Sequence, residues 1–202
     1  MYLGDEWIPT LEELYHRIDA TYAALAGRIG FSCSGCDGAK CCTVDLMLHT
    51  FAEQLYLRLG SRTSEPSSQA EISRRCKVLL EAKQDSPHGD AYRNAVCVLN
   101  SGGLCQLYEY RPMICRLAGI PHVFTRPDGK RVLGEGCPRF RTAIEPLWPD
   151  VLLDRSELYR DMALIEIEFV RSAGKRARSL TVAETLTWED GTESGFRPNP
   201  SA

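Results

Sequence analysis

Cysteine is the residue type in this sequence best suited to chemistry, and four of the nine cysteines lie within ten positions. The stretch FSCSGCDGAKCC, residues 31–42, contains Cys33, Cys36, Cys41 and Cys42. The two residues between Cys33 and Cys36 let both sulfurs face one ion, and thiolates are ligands of zinc and of iron–sulfur clusters. The spacing therefore predicts a chelating turn.

Cys41 and Cys42 are adjacent, which makes them difficult to place on one ion. Successive side chains of an extended backbone point to opposite sides. We therefore expect the pair to face two different centres, or one cysteine to act as a ligand while the other packs or bridges.

The other cysteines are spread through the second and third quarters of the chain. Cys76 shares the apolar face of a predicted helix with Ile72 and Leu79, so we expect it to pack in the core. Eight thiols remain, enough for two four-coordinate zinc sites or two cubane iron–sulfur clusters. The alternative is that they are small buried apolar side chains or form disulfides. The predicted metal ligands are Cys33, Cys36, Cys41, Cys42, Cys97, Cys105, Cys115 and Cys137.

Basic residues follow these cysteines closely in sequence. Sites made only of thiolates carry excess negative charge, which positive side chains nearby would offset. The candidates for this role are Lys40, Arg111, Arg116, Arg139 and Arg141. The four histidines form no ligand pattern, although His122 is close to the cysteine-rich centre.

Three motifs in order, CSGCDGAKCC, CVLNSGGLCQLYEYRPMICR and GCP, resemble the YkgJ-like family of zinc- or iron-chelating proteins with a CxxCxxCC signature. The resemblance covers roughly residues 31–140. One departure is the four residues DGAK before the cysteine pair. The resemblance implies metal binding, through iron–sulfur clusters or zinc. It implies no known substrate.

The segments that would position the cysteines are mainly helical. Apolar residues recur at helical spacing over residues 10–29, 51–60, 70–84 and 155–173. Thr10 with Glu13, and Thr50 with Glu53, have the spacing of a capping box. HVFTRPDGKRVLG, residues 122–134, predicts a hairpin, and Glu166 is expected on a solvated helix edge. The predicted fold is mainly α, with irregular cysteine-rich metal-binding loops and a small β-hairpin.

Composition indicates one globular unit. The chain has 202 residues, 44% of them hydrophobic, and a formal net charge of -3. We expect a single metal-binding domain over residues 1–187 with its cysteine core at 31–140, and a disordered tail at 188–202. The slight acidity argues against binding to nucleic acid, and no segment resembles a signal peptide or a membrane span. A cytoplasmic location is expected, where thiols stay reduced.

The predicted function is a metal-binding protein that holds iron–sulfur clusters or zinc through the eight clustered cysteines, in electron transfer, metal handling or protein modification. The alternative is a zinc-stapled, non-catalytic module that recognises a protein partner. Phosphate-binding loops, dinucleotide fingerprints, GxSxG and HExxH are all absent from the sequence. Whether the chain is an enzyme stays open at this point.

Overall fold

The computed structural model describes residues 7–32, 42, 49–86, 89, 92, 95–145, 152–173 and 180–188. Its helices are α1 (Trp7–Arg28), α2 (Phe51–Thr63), α3 (Pro66–Asp85), α4 (Met113–Arg116), α5 (Pro138–Ile144), α6 (Ser156–Ala173) and α7 (Val182–Thr187). The strands are β1 (Asn100–Ser101), β2 (Leu104–Cys105), β3 (His122–Thr125), β4 (Arg131–Gly134) and β5 (Leu153–Asp154). The prediction of a mainly helical fold with a small hairpin is confirmed.

Two small sheets accompany the helices. Strands β1 and β2 form an antiparallel pair, and a second sheet has the order β4–β3–β5. The predicted hairpin at residues 122–134 is confirmed as the β3–β4 pair, and β5 adds a parallel strand that the sequence pattern did not indicate. Gly129 has φ +79° in the turn of this hairpin, a conformation that glycine adopts without strain.

Buried apolar clusters join the helices. Helix α1 contributes Leu11, Leu14 and Ile18 to a cluster that also contains Met113 of α4 and Met162 of α6. Helix α3 packs against α7 and against the chain around β1 and β2 in a separate cluster. None of the helices in the described residues has the length and apolar character needed to cross a bilayer.

Three helix ends differ from the predicted ones. Helix α1 starts at Trp7, three residues before Thr10, because Trp7 packs against the apolar cluster that contains Leu11 and Met162. Helix α2 continues through Gly60 to Thr63. Gly60 does not end the helix, because its role is to let the Tyr110 ring pack close to the backbone, where a Cβ would collide with the ring. Helix α3 begins at Pro66, inside the predicted polar loop, with proline at a position that suits the first turn.

The start of α2 is capped twice. The predicted box of Thr50 and Glu53 is confirmed, because each side chain accepts from the backbone N–H of the other. In addition, Glu166 of α6 accepts from the N–H groups of Phe51 and Ala52 at 3.0 and 3.1 Å. Carboxylates are favoured at helix N-termini, so this long-range cap joins α6 to α2. The prediction that Glu166 lies on a solvated helix edge is wrong.

Helix α7 docks on α3 through an ion pair as well as through their shared apolar cluster. Lys83 Nζ lies 2.6 Å from Glu184, whose carboxylate also caps α7 by accepting from Thr181. Burial acts to raise the pKa of Glu184, but the hydrogen bonds from Lys83 and Thr181 outweigh it, so its pKa lies below the ordinary 4.5. The stabilisation is therefore complete above pH 4.5 and is lost as pH falls through the lower folded-state value.

We expect Glu184→Gln to weaken this dependence of stability on pH. Urea unfolding followed at a series of pH values should show a smaller loss of stability on acidification below pH 4.5 in the variant than in the wild type. Glu168→Gln is the matched control, because that carboxylate is exposed and pairs with the exposed Arg171. Equal acid sensitivity in all three proteins would contradict the role given to Glu184.

Candidate functional site

Four of the predicted metal-ligating cysteines lie around one core. Cys97 is buried there with Leu79, Leu99 and Leu107, and Cys42, Cys105 and Cys115 pack against the same cluster half-buried. Cys33, Cys36 and Cys41 lie outside the described residues. The prediction that Cys41 and Cys42 face two different centres therefore also lies outside them. These four cysteines, Cys42, Cys97, Cys105 and Cys115, therefore border one apolar core, and we call them the thiol cluster.

Backbone contacts hold the thiol cluster together. Cys97 N–H donates to the Cys42 carbonyl at 2.6 Å, which joins the N-terminal cysteine segment to the central one. Cys105 is opposite Asn100 in the β1–β2 ladder, and Cys115 lies in the one-turn helix α4. Arg75 of α3 donates to the Asn100 carbonyl, so the hairpin is also attached to a long helix.

Three thiols of this cluster, Cys97, Cys105 and Cys115, are poor nucleophiles. Burial raises the pKa of Cys97 to about 12, and it raises the pKa values of Cys105 and Cys115 as well. The other cysteines add to this effect, because a thiolate at one position repels a thiolate at another. A thiolate is the reactive form, so these side chains are protonated and unreactive near neutral pH.

Arg111 and Arg116 act electrostatically on the cluster as the sequence suggested. Both lower the pKa of Cys105, although burial outweighs them. Arg116 is buried and is held by Asp19, by the carbonyl groups of residues 109 and 111, and by the ring of Tyr15 at 4.0 Å. The two guanidinium groups therefore belong mainly to a polar network beside the thiols.

That network is centred on Glu53, which the sequence indicated only as a helix cap. Its side chain also accepts from the Tyr15 hydroxyl at 3.2 Å and from the Met113 N–H at 2.6 Å. Glu53 is only 3% exposed. One carboxylate thus joins α1, α2 and α4, and α4 carries Cys115.

Cys137 lies apart from the thiol cluster. Its Sγ accepts from the Phe140 N–H at 3.3 Å at the start of α5, and it packs with a different apolar cluster that contains Ile120 and Ile144. Cys76 is fully buried on the core face of α3, as predicted, and burial raises its pKa to about 11. The His122 Nδ1–H donates to the Ile120 carbonyl at 3.0 Å.

The predicted metal-binding function is wrong. Across the described ranges, no group of three or more histidine, cysteine or acidic side chains has an arrangement that could hold a metal ion. The physical reason is that the described thiols serve as small packing groups, and Cys137 serves as a helix cap. The zinc-stapled alternative needs the same ligand group and is wrong with it. The expected cofactor, an iron–sulfur cluster or zinc, is not tested by these contacts and stays a prediction.

Comparison with known proteins adds no assignment. No protein-family model matches the chain, and no curated protein or solved structure matches it significantly. The resemblance to the YkgJ-like family accordingly stays a prediction.

Three exposed residues, Leu104, Tyr108 and Glu109, lie close in sequence to Cys105 of the thiol cluster, and we call them the rim. Leu104 is 70% exposed and Tyr108 is 52% exposed, although they flank the buried Leu107. The Arg111 guanidinium carbon lies 3.4 Å from the Tyr108 ring centroid, and its Nε donates to the Tyr108 carbonyl at 2.8 Å. The Tyr108 ring is therefore both exposed and held in place by Arg111.

Proposed function

We propose that the chain is a non-catalytic protein-binding protein that acts in the cytoplasm and recognises its partner at the rim. The observation that carries the proposal is the exposed Tyr108 ring held by Arg111 at 3.4 Å. Tyrosine is enriched among the residues that dominate binding energy, and a ring already fixed in place loses little entropy on binding. The raised pKa values of Cys97, Cys105 and Cys115 support a non-catalytic role, since these three thiols are then protonated near neutral pH.

The charges of the rim favour a basic and apolar partner segment. Glu109 is exposed and forms no ion pair with any of the described residues, whereas Arg111 lies 3.8 Å from Asp19. The free negative charge is therefore at Glu109. A lysine or arginine of the partner would meet this carboxylate or the open face of the Tyr108 ring, while an apolar side chain packs against Leu104.

Other partner classes fit the rim less well. Nucleic acid binds through clustered basic side chains, but the exposed charge at the rim is acidic. We therefore propose a protein and neither nucleic acid nor a membrane as the partner. The proposed cytoplasmic location is supported by Cys76, Cys97, Cys105 and Cys137, which are all in the thiol form.

Site-specific photocrosslinking in cells tests the proposal. A photoreactive amino acid replaces Leu104 in one variant and Leu164 in a control, because Leu164 is 59% exposed on α6, an element that does not contain the rim residues. We expect one discrete adduct from position 104 that is absent from position 164. The adduct should disappear when Glu109→Lys is added, because like charges then oppose each other.

Two outcomes would overturn the proposal. One is the same set of adducts from both positions, which would show non-specific collision. The other is an adduct from position 104 that is unchanged by Glu109→Lys and by Tyr108→Ala, which would show that the rim side chains do not select the partner.

A further inference from the structure

One edge of the three-stranded sheet has no partner strand among the residues that the structure describes. Strand β4 pairs with β3 along one side, and within the described ranges no strand pairs with its other side. The Val123 carbonyl accepts from the Arg155 N–H, just after β5, at 2.9 Å, so the backbone groups of Val123 face β5 and not β4. Hydrogen-bonded pairs alternate with non-hydrogen-bonded pairs in an antiparallel ladder, so the hydrogen-bonded pair between β3 and β4 is Phe124 with Val132, and Val123 with Leu133 is not hydrogen-bonded. The N–H and C=O groups of Arg131 and Leu133 consequently point away from β3, toward this edge.

The exposed side chains along this edge are, in chain order, positive, apolar and negative. Arg131, Leu133 and Glu135 are two residues apart, which places them on one face of an extended strand. Leu133 is 54% exposed, and the Glu135 side chain is 78% exposed. The ion pair between Glu135 and Arg141 is long, at 3.7 Å, and lies at the surface, so it holds the carboxylate weakly.

We propose that two copies of the chain associate by antiparallel pairing of their β4 edges about a twofold axis at Leu133. Leu133 then lies opposite Leu133 of the second copy, and Arg131 of each copy lies opposite Glu135 of the other. About six backbone hydrogen bonds form between the outward-facing groups of these residues. The three-stranded sheets of the two copies then form one six-stranded sheet, with the pair of Leu133 side chains at its centre and an ion pair on each side.

The order of the residues favours a second copy over an unrelated strand. A twofold interface requires one surface to complement itself. Along β4 and the residue that follows it, the exposed side chains are positive, apolar and negative in order, so in antiparallel pairing each positive end meets a negative end and the apolar residues meet each other. A charged residue such as Arg131 usually protects an edge strand from pairing. In this register the charge meets Glu135, whereas a shift by two residues places Arg131 opposite Leu133 and removes both ion pairs. This association is independent of the rim.

Sedimentation equilibrium on the full chain, up to about 1 mM protein, tests the proposal. We expect reversible dimer formation and a dissociation constant raised at least ~10-fold by Leu133→Lys, which places two like charges on the axis. Glu135→Arg alone should also weaken the dimer, because Arg131 would then face arginine. The double variant Arg131→Glu with Glu135→Arg exchanges the charges and should restore the dissociation constant to within ~3-fold of the wild type.

Leu164→Lys is the matched control, because it changes an equally exposed leucine on α6. All variants are surface substitutions, and circular dichroism confirms that each retains the fold. A wild-type chain that is monomeric at every concentration would overturn the proposal. So would a dimer weakened equally by Leu133→Lys and Leu164→Lys, or a double variant that is as weak as Glu135→Arg alone.

Discussion

Replacing Glu53 with alanine is expected to lower the free energy of unfolding by about 3 to 5 kcal/mol, because each stranded buried donor costs about 1 to 3 kcal/mol. The Tyr15 hydroxyl and the Met113 N–H both donate to this carboxylate, and both residues are 3% exposed. The capping of α2 through Thr50 is lost in the same variant. Urea unfolding followed by circular dichroism measures the change.

The matched control is Glu13→Ala, which removes an exposed glutamate from α1 and should change the stability by less than about 0.5 kcal/mol. Glu53→Gln should fall between the two, since it keeps the shape of the side chain but replaces one acceptor oxygen with a donor. If Glu53→Ala unfolded at the same urea concentration as Glu13→Ala, the carboxylate would not be the centre of the polar network.

Gly136→Ala is expected to cost about 2 to 5 kcal/mol, the sum of backbone strain and overpacking. Gly136 has φ +73°, which side chains other than glycine rarely adopt. A Cβ would also collide with the Gly119 carbonyl and lie 2.6 Å from Pro121 N, and backbone atoms cannot rotate away. The affected turn holds Cys137, whose N–H donates to the Gly119 carbonyl at 2.9 Å.

Gly129→Ala separates the two contributions to that cost. Gly129 has nearly the same φ, +79°, but a Cβ there meets nothing within 4 Å, so only the strain of about 1 kcal/mol applies. Thermal and urea unfolding of the two variants give the comparison. Equal destabilisation would show that the close approach of residues 119–121 to Gly136 does not affect stability.

Local sequence patterns predicted the elements whose determinants lie close together in the chain. The capping box of Thr50 and Glu53 spans three residues, and the apolar face of α3 assigned Cys76 to the core. The turn residues between β3 and β4 predicted that hairpin. In each case the interaction that decides the structure is between near neighbours, so spacing alone reveals it.

Contacts between distant residues explain the failures. Glu166 caps a helix that begins 115 residues earlier, and no local pattern distinguishes it from the exposed Glu168. Gly60 resembles a helix end in sequence, but its role is to admit the Tyr110 ring. For the same reason, cysteine spacing could not predict that Cys42 and Cys97 border the same apolar core, or how their sulfurs are arranged.

Calorimetric titration with the protein captured at position 104 is the most direct test of binding at the rim. Wild type, Tyr108→Ala and Leu164→Ala are titrated with the same purified partner. Binding at the rim predicts an affinity lowered at least ~10-fold, about 1.4 kcal/mol, by Tyr108→Ala and unchanged by Leu164→Ala. An affinity that Tyr108→Ala leaves at the wild-type value, or that Leu164→Ala lowers equally, would contradict it.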